Sequence, residues 1–95
     1  MHDYDKPVAK PSVVLREEFD DWAILFDPDT GDVLGINPMG VCVWKRLDSY
    51  HAIQDILKEV RDHCDNVPNE ANEQIKKFIQ DLIEIKFVSY EVQKT

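Results

Sequence analysis

The residues of this 95-residue chain that could carry chemistry are three histidines, two cysteines and a run of acids. His2, His51 and His63 are scattered, and none stands at a metal-ligand spacing from another. His63 and Cys64 are sequence neighbours, and neighbours on a helix point apart. Cys42 and Cys64 are too few for a disulfide framework and match no zinc pattern. Each falls at a semi-apolar helical position, so two separate buried thiols are expected. Glu17, Glu18, Asp20 and Asp21 read as a solvated hairpin tip rather than a metal site. Gly31, Gly35 and Gly40 form no phosphate loop. Nothing pairs a serine or cysteine nucleophile with a histidine base. The residues therefore predict no catalytic group, no metal and no cofactor, and the chain reads as a protein that is not an enzyme.

Composition narrows the partners. Ninety-five residues make one domain, large enough for one modest core and too small for a large buried cavity. With 11 basic and 19 acidic residues the net charge is −8. That field repels nucleic acid and anionic lipid and favours basic partners. Acids stand in the first ten residues where a signal peptide needs a basic flank, and no stretch approaches 18 apolar residues. A reduced, cytoplasmic protein with no membrane contact is the expectation.

The elements follow from period and punctuation. Residues 1–12 hold two prolines and no apolar period, and predict a flexible or extended arm. Residues 13–19 alternate as a half-exposed strand. Asp20 and Asp21 form a turn, and residues 22–27 are apolar on both faces, as in a central strand. The run DPDTGD at 27–32 is the strongest turn signal, with Pro28, Asp29 and Gly31 each in a suitable place. It returns the chain into a third strand, Val33–Ile36, at the sheet edge. Asn37 caps and Pro38 opens a helix whose apolar residues are Met39, Val43, Trp44 and Leu47. A second helix over 52–64 has its stripe at Ile53, Ile56, Leu57, Val60 and Cys64. Ala52 offers it no cap, and Ser49 is the nearest candidate. A third helix opens at Pro68. Its apolar residues (Ala71, Ile75, Phe78, Ile79, Leu82, Ile83, Ile85) fill an arc of about 160°, wider than the roughly 100° one core needs. The surplus, Phe78 and Ile85 on one flank and Ile83 on the other, either faces something beyond this core or is wrapped by it. A short extended piece ends the fold at 87–91. The class is α+β: a three-stranded antiparallel sheet followed by three helices, similar to a winged helix-turn-helix.

That likeness invites a nucleic-acid-binding regulator as one reading. The third helix argues against it. Glu70, Glu73, Asp81 and Glu84 outweigh Lys76, Lys77 and Lys86 by one charge, which neutralises phosphates poorly.

At Leu34-Gly35-Ile36-Asn37, then Gly40, Val43-Trp44 and Leu47-Asp48, the sequence resembles the PqqD family. There a strand reading L-N enters a helix with the pattern G-x-x-I-W-x-L-L-D. Ile53 and Ile56 continue the match, as do the acidic start and apolar repeat of 68–87. The stretch REEFDDWAILFDPDTGDVLGINP is most similar to the PqqD-like member of SynChlorMet-type gene cassettes. Three positions depart: Ser49 where the family has glycine, Ala52 where it has a threonine cap, and Lys86 where it has the glycine that ends the third helix.

The resemblance implies a single peptide-recognition domain over 13–92. Such a domain binds the leader of a ribosomally made precursor peptide and presents it to a modifying enzyme, typically a radical S-adenosylmethionine enzyme. By the family's mode the groove lies between Val33–Ile36 and the third helix. The site residues expected are then Val33, Leu34, Gly35 and Ile36 from the strand, Phe78 and Ile85 as an apolar wall, and Lys77 and Asp81 at the rim. An edge strand of this kind accepts an added strand. A structural partner domain of an enzyme, with no peptide site, is the other reading. The exposed edge and the arm also allow strand exchange between two copies, and so a homodimer.

Overall fold

The computed structural model describes residues 5–64 and 70–90. In chain order its elements are β1 (Pro7–Ala9), β2 (Val14–Glu17), β3 (Ala23–Phe26), β4 (Val33–Ile36), α1 (Pro38–Trp44), α2 (Ile53–His63), α3 (Ala71–Glu84) and β5 (Val88–Tyr90). The fold is α+β: β2, β3 and β4 form an antiparallel sheet in that order, followed by three helices.

Local chemistry sets the joints. Asp20 and Asp21 both take left-handed φ, 59° and 63°, and the Trp22 N–H donates to the Phe19 carbonyl at 3.2 Å. This mirror-image turn follows the twist of the flanking strands, and Asp tolerates the conformation better than most residues. The next hairpin closes where the Asp27 N–H meets the Asp32 carbonyl at 3.0 Å and Gly31 adopts a φ of 79°. Asn37 ends β4 in extended conformation and accepts the Gly40 N–H at 2.8 Å, with Pro38 opening α1.

The core lies on one face of the sheet. Ala23, Leu25 and Ile36 point inward to meet Val43, Ile53, Ile56, Val60 and the buried stripe of α3. That stripe is Ala71, Ile75, Ile79 and Leu82, all without solvent exposure. Burying a side chain such as Leu82 stabilises by about 2 kcal/mol, so these residues fix the roll of α3. No helix among the described residues is long and apolar enough to cross a membrane.

Three features differ from the sequence expectation. The predicted arm over 1–12 contains a strand: β1 pairs antiparallel with β5, Val8 opposite Ser89. On its other side the Ala9 N–H donates to the Leu47 carbonyl, and the Ser49 N–H to that of Pro7. Two chain segments about 80 residues apart supply the backbone partners, which no local pattern announces. Second, Cys42 and Cys64 are not separate thiols: the structure bonds them, with their Cα atoms 6.7 Å apart. The packing of α1 beside α2 brings them together. Third, the α2 start is not capped by Ser49. The Asp55 carboxylate accepts the Ala52 N–H at 3.1 Å, and Asp48 accepts the N–H groups of Tyr50 and His51. Helix α3 is described from Ala71, and its expected opening at Pro68 lies outside the described residues, as do residues 1–4 and 91–92.

Two polar networks lock these pieces. Asp27, on the inner side of the hairpin, is 1% exposed and accepts from Lys10 Nζ at 2.7 Å, Ser12 Oγ at 3.2 Å and the Asp29 N–H at 3.0 Å. The Lys10 hydrogen bond holds its carboxyl below the ordinary carboxylate range although burial opposes this. Between α1 and α2, His51 Nδ1 lies 2.9 Å from both Asp48 oxygens while Nε2 meets the Glu59 carboxylate. The Asp48 hydrogen bond raises the His51 pKa against the effect of burial.

Candidate functional site

Among the described residues no strand pairs with the outer edge of β4, and the ladder determines which groups that edge offers. In an antiparallel pair, residues alternate between those bonded to the partner and those whose N–H and C=O point away. Asp27 and Asp32 are a bonded pair, and the register pairs Phe26 with Val33, Leu25 with Leu34, Ile24 with Gly35 and Ala23 with Ile36. Leu34 and Ile36 therefore bond inward to β3. Val33 and Gly35 present their backbone groups outward. The β2–β3 ladder agrees in phase: the Glu18 N–H bonds to the Trp22 carbonyl, which leaves Ala23 and Leu25 free to bond β4.

The side chains divide by the same parity. Val33 is 60% exposed and lies with Gly35 on the outer face, whereas Leu34 is half-buried and Ile36 is buried on the helix side. Ile36 is thus a core residue at the end of an edge strand. Substituting it removes core packing as well as any contact with an added strand.

Helix α3 reaches this strand through Phe78. A Cβ built at Gly40 would lie 3.1 Å from Ile36 Cβ and 3.3 Å from Phe78 Cζ. Gly40 is therefore the point at which β4, the first turn of α1 and α3 close on one another, and its lack of a side chain permits the approach. Phe78 itself is half-buried and packs on the edge of the core. Lys77 and Asp81 pair with each other at 3.1 Å on the exposed side of α3. Ile85 sits at the helix end, 41% exposed. Ile83, on the opposite flank, is half-buried. Of the eight predicted residues, the structure places Ile36 and Phe78 together, with Leu34 beside them on the helix side. Val33 and Gly35 supply the outward backbone, and Lys77, Asp81 and Ile85 lie on the exposed surface of α3. Gly40 was not singled out as a site residue by sequence reasoning. Its signal is a glycine inside a first helical turn, where propensity disfavours it.

Among the described residues no group of three His, Cys, Asp or Glu side chains is placed to hold a metal. What the arrangement offers is the outward backbone of Val33 and Gly35 on a strand that ends, at Ile36, against Phe78 of α3.

Residues 23–88 match the profile of the family described as coenzyme PQQ synthesis protein D, PqqD. The chain belongs to the PqqD family. The match runs from the start of β3 to the start of β5, and so includes β4 and all of α3. Two solved structures share this PqqD-family fold. One is TbiB1 in complex with the TbiA(β) leader peptide, with a TM-score of 0.70 and 16% identity over 90% of this chain and 99% of that one. The other is lasso peptide synthetase B1 complexed with the leader peptide, with a TM-score of 0.69 and 17% identity over 88% of this chain and 98% of that one. No curated protein matches the sequence.

Proposed function

We propose that this protein is a non-catalytic adapter. It binds the leader of a ribosomally synthesised precursor peptide as a fourth strand on β4, beside α3, and presents it to a modifying enzyme of the radical S-adenosylmethionine class. The observation that carries the reading is the outward backbone of Val33 and Gly35, on a strand whose last residue, Ile36, meets Phe78 of α3 around Gly40. A strand added there gains backbone hydrogen bonds whatever its sequence, and its alternate side chains face the helix or the solvent. Those on the helix side meet Leu34 and Phe78. Lys77 and Asp81, exposed on α3, supply one charge of each sign to fix the direction of the incoming chain. Family membership supports the reading, as does the shared fold with two chains solved with leader peptides. The net charge of −8 favours a leader with basic residues.

The test is an amide NMR titration of the labelled full chain with the leader segment of the short precursor encoded beside it. Shifts concentrated at 33–36 and at Lys77, Phe78, Asp81 and Ile85 are expected. Shifts confined to other surfaces, or none at high peptide concentration, would refute the strand-addition site.

A further inference from the structure

The sheet has a second face that none of the described residues covers. The helices pack against Ala23, Leu25 and Ile36, so Val14, Phe26 and Val33 form one cross-strand row on the opposite face. They are 53%, 40% and 60% exposed, and Trp22, next but one from Ile24 on that face, is 53% exposed. Isolated exposed apolar residues are ordinary; an aromatic pair within a contiguous apolar strip marks an interaction surface. Gly35 stands in the middle of the same face, opposite Ile24. Its φ is not left-handed, and a Cβ added to it would meet nothing within 4 Å. Neither the turn of this backbone nor the packing of the described residues calls for glycine there. A strand glycine without such a reason fits a place where another molecule comes close.

Charge identifies the occupant. Glu18, Asp20 and Asp21 stand at one end of the strip and Asp29 and Asp32 at the other, all exposed; among the described residues of the strip the one base is Arg16, which is paired to Glu18 at 3.7 Å. The two acidic ends are separated by one four-residue strand, about 13 Å. A second copy of this chain would set these acids against one another. A surface carrying lysines or arginines at both ends of an apolar patch is complementary.

We infer that the outer face of the β2–β3–β4 sheet is the docking surface for the modifying enzyme, through an enzyme patch that is apolar at its centre and basic at both ends. The identity of this partner rests on the adapter reading above. The face adjoins the β4 edge, so an enzyme seated on it lies beside a leader held there.

The experiment measures two affinities on the same full-length proteins, one for the modifying enzyme encoded beside the chain and one for the leader. The variants are Trp22→Thr with Phe26→Thr, which keep strand propensity, and Asp20→Asn with Asp21→Asn, which keep tolerance of the left-handed turn. Their amide spectra verify folding. The expected result is a loss of about tenfold or more in enzyme affinity for the first pair. For the second pair a loss of several-fold is expected, with a weaker dependence on salt. Leader affinity stays within about twofold for both: no substituted residue belongs to β4 or α3, and although Phe26 lies across from Val33 on the outer face, Val33 meets the leader through its outward backbone. Enzyme affinity unchanged in both pairs would overturn the proposal. So would a wild-type dimer in sedimentation that the Trp22 and Phe26 changes abolish. A wild-type chain that binds enzyme but no leader would refute the strand-addition reading and leave the docking surface standing.

Discussion

Lys10 Nζ lies 2.7 Å from the Oδ2 atom of Asp27, a carboxylate that is 1% exposed. Through this pair the exit of β1 is tied to the β3–β4 hairpin. Asp27→Asn leaves Lys10 facing a neutral amide, and the melting temperature should fall by about 5 °C or more. The pH dependence has a definite sign. Asp27 is held below its ordinary range, so its contribution is present above about pH 4 and fades as pH falls through the native value. Lys10 is held above its ordinary value, so its contribution is complete below about pH 10 and fades at higher pH. Thermal melts of both proteins across pH check this, and the gap between them should close at the acid end.

His51 bridges Asp48 and Glu59, and its native pKa is raised. A raised histidine stabilises fully below about pH 6.5 and loses that contribution as pH climbs through the native value. His51→Gln should therefore cost about 0.5–1 kcal/mol at pH 5.5 and much less at pH 9. Urea unfolding at the two pH values measures the difference, and an equal loss at both would show that the ion pairs contribute little.

The bond between Cys42 and Cys64 closes a loop with a sequence separation of 22. A cross-link of that length stabilises by about 3 kcal/mol in the chain-entropy account. Guanidinium unfolding with and without reductant should show the difference, and Cys42→Ala with Cys64→Ala should remove the response to reductant.

Gly35 offers its N–H outward and bonds inward to nothing. Gly35→Pro deletes that donor at an edge, where proline is tolerated. Leader affinity should fall about tenfold with little change in stability, as read by fluorescence anisotropy and thermal melting. Ile36→Pro is the contrasting variant: Ile36 is 3% exposed and bonded inward, so it should lose stability as well as binding.

Ser49 and Lys86 adopt φ values of 68° and 65°. These are the two positions at which the resemblance described above would have glycine. Lys86 ends α3: its N–H donates to the Ile83 carbonyl and that of Phe87 to Leu82, the arrangement that favours glycine. Ser49→Gly and Lys86→Gly should each stabilise by about 0.5–1 kcal/mol, the left-handed strain being partly offset by the greater freedom of glycine in the unfolded chain. Denaturant midpoints of the single and double variants test this, and additivity is expected because the Ser49 N–H bonds to Pro7 and the Lys86 N–H to Ile83, with no partner in common.

The sequence by itself determined the features that depend on neighbours along the chain. Asn37 and Pro38 marked the strand-to-helix joint, Asp20-Asp21 and DPDTGD marked the two hairpin turns, and the apolar period of α3 singled out Ile75, Ile79 and Leu82, all of which are buried. The unbroken apolar run at 22–26 revealed a strand apolar on both faces, though not that the helices cover one face and leave Trp22 and Phe26 exposed. Tertiary structure alone decided the pairing of Pro7–Ala9 with Val88–Tyr90, the bond between Cys42 and Cys64, the Lys10–Asp27 lock and the closure of Phe78 onto Gly40. It also decided that Leu34 and Ile36 face the helices while Val33 and Gly35 hold the free backbone. The physical reason is the range of the forces involved. Caps, turns and amphipathic faces are set by groups within a few residues of one another. Pairing between distant segments depends on which surfaces meet after collapse, and that is fixed by the shape of the whole core.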